Sequence, residues 1–310
     1  MLPIQLIAEN IASRPAAKTL RGLLKIARAH QRTLVMGVLN VTPDSFSDGG
    51  LFFDPRDAEA HAHRLAEEGA DILDIGGEST RPATFAKNAP LDVGEEMRRV
   101  LPVIERISRS LPRLPISIDT YKSEVAHLAV VAGAVMVNDI SAGRADPAML
   151  STVAELGVPI CLMHLLGLPT AIPLTPHYQD VVREVREHLQ ERVQAALSAG
   201  IREENILIDP GLGFGKTVEH NLELMRRLRE LVDPRYLLLV GPSRKATIGK
   251  VLGDLPPEDR LEGTAATVAL SIAGGAAIVR VHDVRQMARV MRMSDAILYG
   301  LESAQRNEVS

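Results

Sequence analysis

Asn40, Asp119, Asn138, His164, Asp209, Lys245, Arg280 and His282 share one placement: each closes, or closely follows, a short run of aliphatic residues. Asp139 and the run Glu78-Ser79-Thr80-Arg81 follow the same rule. A buried strand has no reason of its own to finish in an acid, an amide or a cation. Brought to one mouth, these groups make an active site; taken singly, any Asp or Lys among them reads equally well as half of a structural ion pair. Arg280 and His282 alternate across Val281, so a strand would point both to one side. There they could grip an anion, the arginine with two parallel bonds. The run Asp209–Thr217 (DPGLGFGKT) invites a misreading as a nucleotide loop. A phosphate-binding G-x4-G-K-[ST] would need Gly where Pro210 stands, and a dinucleotide fingerprint would need Gly where Lys216 stands. The glycines read instead as a tight loop that lets Gly213 and Phe214 approach a flat ring.

The elements that must position these residues are legible in outline. Eight aliphatic runs, 33–39, 71–75, 116–119, 134–138, 159–163, 206–208, 237–240 and 276–281, are candidate strands. Helical patterns separate them, several stopping at a glycine before the next run: Gly69, Gly133, Gly157, Gly200 and Gly275. Eight strand–helix repeats over about 250 residues predict a closed (β/α)8 barrel, the TIM-barrel architecture, rather than an open sheet. Strand ends then converge on the C-terminal face. The long segments 42–55, 78–90 and 165–176 sit there too, where long loops carry function.

Composition narrows the class. At 46% apolar and 24% charged the chain is ordinary and globular. A net charge of −4 and 3% aromatic content without tryptophan argue against a nucleic-acid binder. The lone Cys161 lies in an apolar run, which predicts a buried thiol, no intrachain disulfide and a reducing, cytoplasmic setting. No apolar stretch is long enough to span a membrane. Residues 1–32 form a separate basic amphipathic extension to the barrel unit at 33–310. Arg14, Lys18, Arg21, Lys25, Arg28 and Arg32 follow a 4-3-4-3-4 rhythm on one helix face, with Leu20, Leu23, Leu24 and Ala27 on another. Such a helix could be a transit or membrane-surface segment. The favoured expectation is a helix packed on the barrel, basic side solvated.

Eight segments, in order, resemble the signatures of the dihydropteroate synthase family: Met36–Gly50, Asp74–Pro82, Ser117–Thr120, Val137–Ile140, Leu162–His164, Ile208–Lys216, Gly241–Gly249 and Arg280–Val284. The resemblance spans roughly residues 33–300. It implies a transferase of folate synthesis, a sulfonamide target, that joins a pterin pyrophosphate to p-aminobenzoate with release of pyrophosphate. It also implies a cytoplasmic homodimer that binds these small molecules, with no nucleic acid or membrane partner. By the same resemblance Asn40 ligates Mg2+, and Arg280 with His282 holds the pyrophosphate, the Arg280 plane stacking on the pterin. Asp209 and Asn138 read the pterin's amino-pyrimidine edge, Lys245 its carbonyl, and Met163, Gly213 and Phe214 cover its faces. Asp119 opposes positive charge as the C–O bond breaks, so Asp119 and Lys245 are the catalytic pair, and Thr80 also borders the pterin. Phe46, Thr80, Arg81, Pro82 and Ser243 border the p-aminobenzoate, with Ser243 expected to cap the helix after strand seven.

The chain departs from the family pattern after strand five, where His164-Leu165-Leu166-Gly167 and Thr170-Ala171-Ile172-Pro173 stand, and at Ala83 and Leu212. Three other readings compete with this one. A non-catalytic pterin-binding paralogue would be expected to lose Asn40, Thr80, Arg81 or Lys245, and all four are present. A methyltetrahydrofolate:corrinoid methyltransferase needs no anion clamp. A Schiff-base aldolase would place Lys245 within a strand rather than after Ser243-Arg244.

Overall fold

The computed structural model describes residues 4–29, 32–42, 54–78, 90–169, 171–173 and 175–305. Eight parallel strands close in sequence order into one barrel, β1 to β8, with β8 bonded back to β1. They are β1 Leu34–Asn40, β2 Ile72–Gly76, β3 Ile116–Asp119, β4 Met136–Asp139, β5 Ile160–Met163, β6 Ile206–Asp209, β7 Leu237–Val240 and β8 Ile278–Val281. Each lies within a residue or two of its expected span. The (β/α)8 expectation therefore holds.

Two helices, α1 (Ile4–Ser13) and α2 (Pro15–Arg28), precede the barrel. The helices between strands are α3 (Pro55–Glu67), α4 (Val93–Ser110), α5 (Ser123–Ala132), α6 (Met149–Leu156), α7 (Val181–Ser198), α8 (Val218–Arg226), α9 (Ala246–Val251) and α10 (Leu261–Ala273). After β8 come α11 (Val284–Tyr299) and α12 (Leu301–Gln305). Their starts follow local chemistry. The side chains of Asp54, Asp92 and Asp180 accept amide bonds at the N-termini of α3, α4 and α7, and Thr217 with His220 forms a capping box on α8.

Both strand faces are buried, so alternation separates two cores rather than core from solvent. Val35, Leu39, Leu73, Ile75, Ile118, Val137, Leu162, Ile208, Val240 and Val279 face outward and pack under the helices. The inward set is Leu34, Met36, Ile72, Met136, Cys161, Leu207, Leu237, Leu239 and Ile278. Its lower end is closed by α2, whose Ala16, Ala17, Leu20, Leu23, Leu24 and Ala27 are buried in the same cluster. Each fully buried leucine there contributes roughly 2 kcal/mol of apolar burial. Cys161 sits inside the barrel, its thiol pushed far up by burial, as the apolar run predicted.

The six extension cations do not form one solvated face. Proline at the first position starts α2 after Arg14, which instead donates to the Val130 and Val131 carbonyls near the end of α5. Arg32 lies past the helix, buried in an ion pair with Asp71. Arg28 reaches the Glu204 carbonyl, while Lys18, Arg21 and Lys25 are exposed. The heptad-like rhythm therefore joined residues of three local settings.

Candidate active site in the barrel mouth

Continuing the inward positions toward the C-terminal face changes their chemistry. Above Ile72 comes Asp74; beside Ser117 comes Asp119; above Met136 comes Asn138. Above Cys161 comes Met163, above Leu207 Asp209, and above Ile278 Arg280. Strand register aligns Gly76, Asp119 and Asn138 side by side, with Met163 paired to Asp209. The barrel's upper layer is therefore polar where its lower layers are aliphatic.

Arg280 organises that layer. Its Nε donates to Asp74 Oδ2 at 2.6 Å and its second arm to Asp119 Oδ2 at 2.8 Å. Asp74 is fully buried and also accepts from Asn138 Nδ2 at 2.9 Å. One guanidinium thus serves two carboxylates. Burial raises the Asp119 pKa, Arg280 opposes that shift, and the Asp74 charge adds to it. Asp209 accepts the Gly211 amide at 2.7 Å and is pushed up to about 6 by burial, against that bond and Lys245. Lys245 lies 4.2 Å over the Phe214 ring and is pushed down to about 8, by burial first, with Asp209 opposing. Asp119, Asn138, Asp209, Phe214, Lys245 and Arg280, with Met163, line a recess of about 30 Å3.

Outside it opens a cavity of about 490 Å3, whose lining includes Asn40, Gly213, Ser243, Arg244, Arg260 and His282. Phe214, Gly241, Lys245 and Arg280 border both spaces. Burial, then the cations Arg280 and Arg244, push His282 down to about 3, so its ring is neutral here. Ser243 Oγ accepts the His282 amide at 3.1 Å and lies 3.0 Å from its Nδ1. Ser243 therefore does not cap α9 as expected: the helix begins three residues later at Ala246, with Lys245 at the cap position and no side-chain cap. Arg244 intervenes with φ of 57° and pairs with Asp283.

Two further strand-end residues do not join the mouth. Asp139 points to the helix side and accepts from Ser141 and from the Gly143 amide, closing a turn. His164 packs edge-on to His188 and bonds Lys216. The expectation of eight strand ends at one site is reduced accordingly. Phe46, Thr80, Arg81 and Pro82 lie outside the described residues, as do Ala83 and most of the two long loops that carry them. Asp74 stands in mid-strand, where the pattern of polar strand ends does not reach it. The available signal was an acid inside the buried run Ile72–Gly76.

Residues 36–282 match the pterin binding enzyme family. The chain belongs to that family. It is similar to the dihydropteroate synthase of Bacillus subtilis (strain 168), with 50% identity over 268 residues that cover 86% of this chain and 90% of that one. Among solved structures, a Xanthomonas albilineans dihydropteroate synthase with 4-aminobenzoic acid aligns with a TM-score of 0.80 and 47% identity. It covers 87% of this chain and 94% of that one. The same organism's enzyme with 7,8-dihydropteroate aligns at a TM-score of 0.77 and 45% identity, over 87% and 95% of the two chains. In a pterin-binding barrel the raised Asp209 pKa has a measurable consequence. An ionised carboxylate accepts a pterin's N–H groups and a protonated one does so poorly, so pterin affinity is expected to rise with pH through about 6. Fluorescence titration from pH 5 to 7 checks this, and Asp209→Asn is expected to flatten the curve. An unchanged slope in that variant would assign the step to another group. For folding the sign reverses: the folded state holds this proton more tightly than the unfolded chain, so stability from this group falls between about pH 4 and 6.

Proposed function

We propose that this protein is a dihydropteroate synthase, condensing 6-hydroxymethyl-7,8-dihydropterin pyrophosphate with p-aminobenzoate to give 7,8-dihydropteroate and pyrophosphate. The observation that carries this is the charged inner layer, Asp74, Asp119, Asn138, Asp209, Lys245 and Arg280, at one barrel mouth beside a cation-lined cavity. It stands in a chain half identical to a dihydropteroate synthase.

The chemistry follows from the placement. Asp209 and Asn138 offer a carboxylate and an amide to the pterin's amino-pyrimidine edge, and Lys245 a donor to its carbonyl. Met163 and Phe214 supply apolar faces for the ring. The recess is closed down by the Lys245–Phe214 contact and the Arg280 ion pairs, so a bicyclic ring enters as these contacts are exchanged for its own. The C–O bond breaks with its electrons leaving on pyrophosphate, the arylamine nitrogen bonds the CH2 carbon, and that nitrogen loses a proton. Asp119 opposes the positive charge that grows on the pterin during the first event. Arg280 and His282 border the leaving group; burial first, and then Arg280 and Arg244, keep His282 neutral, and an anion beside it opposes the part due to those cations.

Mg2+ belongs to the same proposal. Among the described residues no three His, Cys, Asp or Glu side chains converge as a metal cage. Asn40 offers one neutral oxygen in the cavity beside Arg280 and His282. That donor set suits an ion ligated mainly by phosphate oxygens and water. Asn40 would hold it, and it would neutralise charge on departing pyrophosphate.

Pyrophosphate release on mixing the protein with the pterin pyrophosphate, with and without p-aminobenzoate and Mg2+, tests the activity. Release that ignores p-aminobenzoate would mark a hydrolase instead. A cytoplasmic homodimer completes the proposal. The lone thiol supports the compartment. The dimer is supported by Leu270, Met293, Ile297 and Leu301, which are 62%, 62%, 71% and 68% exposed on α10, α11 and α12. Ile297→Arg is expected to halve the mass seen by light scattering; an unchanged mass would place any interface elsewhere.

A further inference from the structure

Lys216 is a half-buried lysine whose bonds, among the described residues, go to no carboxylate. Its Nζ donates to the carbonyls of Gly211 at 2.9 Å and Phe214 at 3.1 Å, more weakly to that of His164, and lies 2.8 Å from His164 Nδ1. His164 is kept neutral by burial and then by the Lys216 charge, so its ring nitrogen accepts. Burial, with Lys245 assisting and Asp209 opposing, lowers the Lys216 pKa to about 7. Holding an ammonium there costs folding free energy, which a neutral donor in the same place would avoid.

The reason for a cation lies in the loop it closes. Gly211, Gly213 and Gly215 have φ of 66°, 82° and 59°, so successive peptides turn sharply within six residues. The loop lies directly on the end of β5: a Cβ at Gly211 would stand 2.0 Å from the His164 carbonyl oxygen, and one at Gly215 2.7 Å from Leu166 Cβ. Its polar groups are paired one by one. The Gly213 amide donates to Asn221 Oδ1, and the Gly215 carbonyl accepts from Tyr178 OH. The Gly211 and Phe214 carbonyls converge on the ammonium. Between those two anchor points sit Gly213, against the Lys245 chain, and Phe214, under the Lys245 ammonium.

We propose that Lys216 is a positioning residue for the pterin recess: its ammonium ties the 211–216 loop to His164 and so fixes where Gly213, Phe214 and, through Phe214, Lys245 stand. The inference rests on the pterin reading of the recess. Displacing those walls weakens the contacts they make with a bound ring, because a pocket holds its ligand through a few placed groups. The effect belongs to pterin binding, because the loop borders the recess and the reacting CH2 is faced by Asp119 from the opposite strands.

The test compares wild type with K216M, which keeps chain length and loses the cation. Steady-state rates give kcat and both KM values, and 6-hydroxymethylpterin fluorescence gives a direct Kd. The expected result is a rise of at least tenfold in the pterin KM and Kd, with kcat and the p-aminobenzoate KM within threefold. An unchanged pterin KM, or a loss confined to kcat, overturns the proposal. Should K216M fail to fold, K216R decides: a pterin KM near wild type supports the tether, and a tenfold loss overturns it. A wild-type protein that binds the pterin but does not turn over defeats the synthase reading alone; the Kd comparison still decides the role of Lys216. A wild type that binds no pterin overturns both.

Discussion

Replacing Asp119 with asparagine is expected to lower kcat by roughly a hundredfold or more, about 3 kcal/mol, while the pterin-pyrophosphate KM moves by less than about fivefold. The carboxylate stands at the end of β3, largely buried and bonded to Arg280 at 2.8 Å. Asparagine fills the same space and retains an oxygen for Arg280, so the ground state is little disturbed. What it removes is a negative charge facing the carbon that becomes positive as pyrophosphate departs. Electrostatics of that kind count most in a dry site and only during bond breaking. Arg280 keeps its bond to Asp74 in the variant, so the unfolding midpoint should hold within a few degrees. Initial rates at saturating substrates check the claim. Wild-type turnover with a raised KM would reduce Asp119 to a binding group.

Asp74→Ala is expected to destabilise the fold by about 3–5 kcal/mol and to abolish measurable pterin binding. Asp74 is fully buried, and it accepts from both Arg280 and Asn138. Its loss leaves a guanidinium with one carboxylate in place of two and an interior amide without an acceptor, each costly away from water. Arg280 and Asn138 are also the groups assigned to ligand, so freeing them disorders the site. Asp74→Asn keeps an acceptor and is expected to cost less than half as much. Urea unfolding of the two variants decides: a cost below about 1 kcal/mol for the alanine variant would mean that Arg280 is held adequately by Asp119 alone.

Much of this site could be read along the chain, and the misses share a cause. Asp119, Asn138, Met163, Asp209, Lys245, Arg280 and His282 reach one mouth as expected. Asp139 and His164 looked equivalent to them and are not. Where both faces of a strand are buried, aliphatic residues occupy every position and no alternation marks the inward one. A shift of one residue exchanges the barrel interior for the helix layer, and it carried Asp139 out of the site while hiding Asp74 within it. Ser243 failed for a local reason: the left-handed turn at Arg244 delays α9 and leaves the hydroxyl to His282.

The number of strands, their order and their polar ends were determined by the sequence itself, because aliphatic runs, terminating glycines and turn residues act over a few positions. The direction each strand face takes, the sharing of Arg280 between Asp74 and Asp119, and the tether from Lys216 to His164 were decided only by closure of the barrel. They join residues up to 206 positions apart, and such pairings follow from register around a closed sheet rather than from any local pattern.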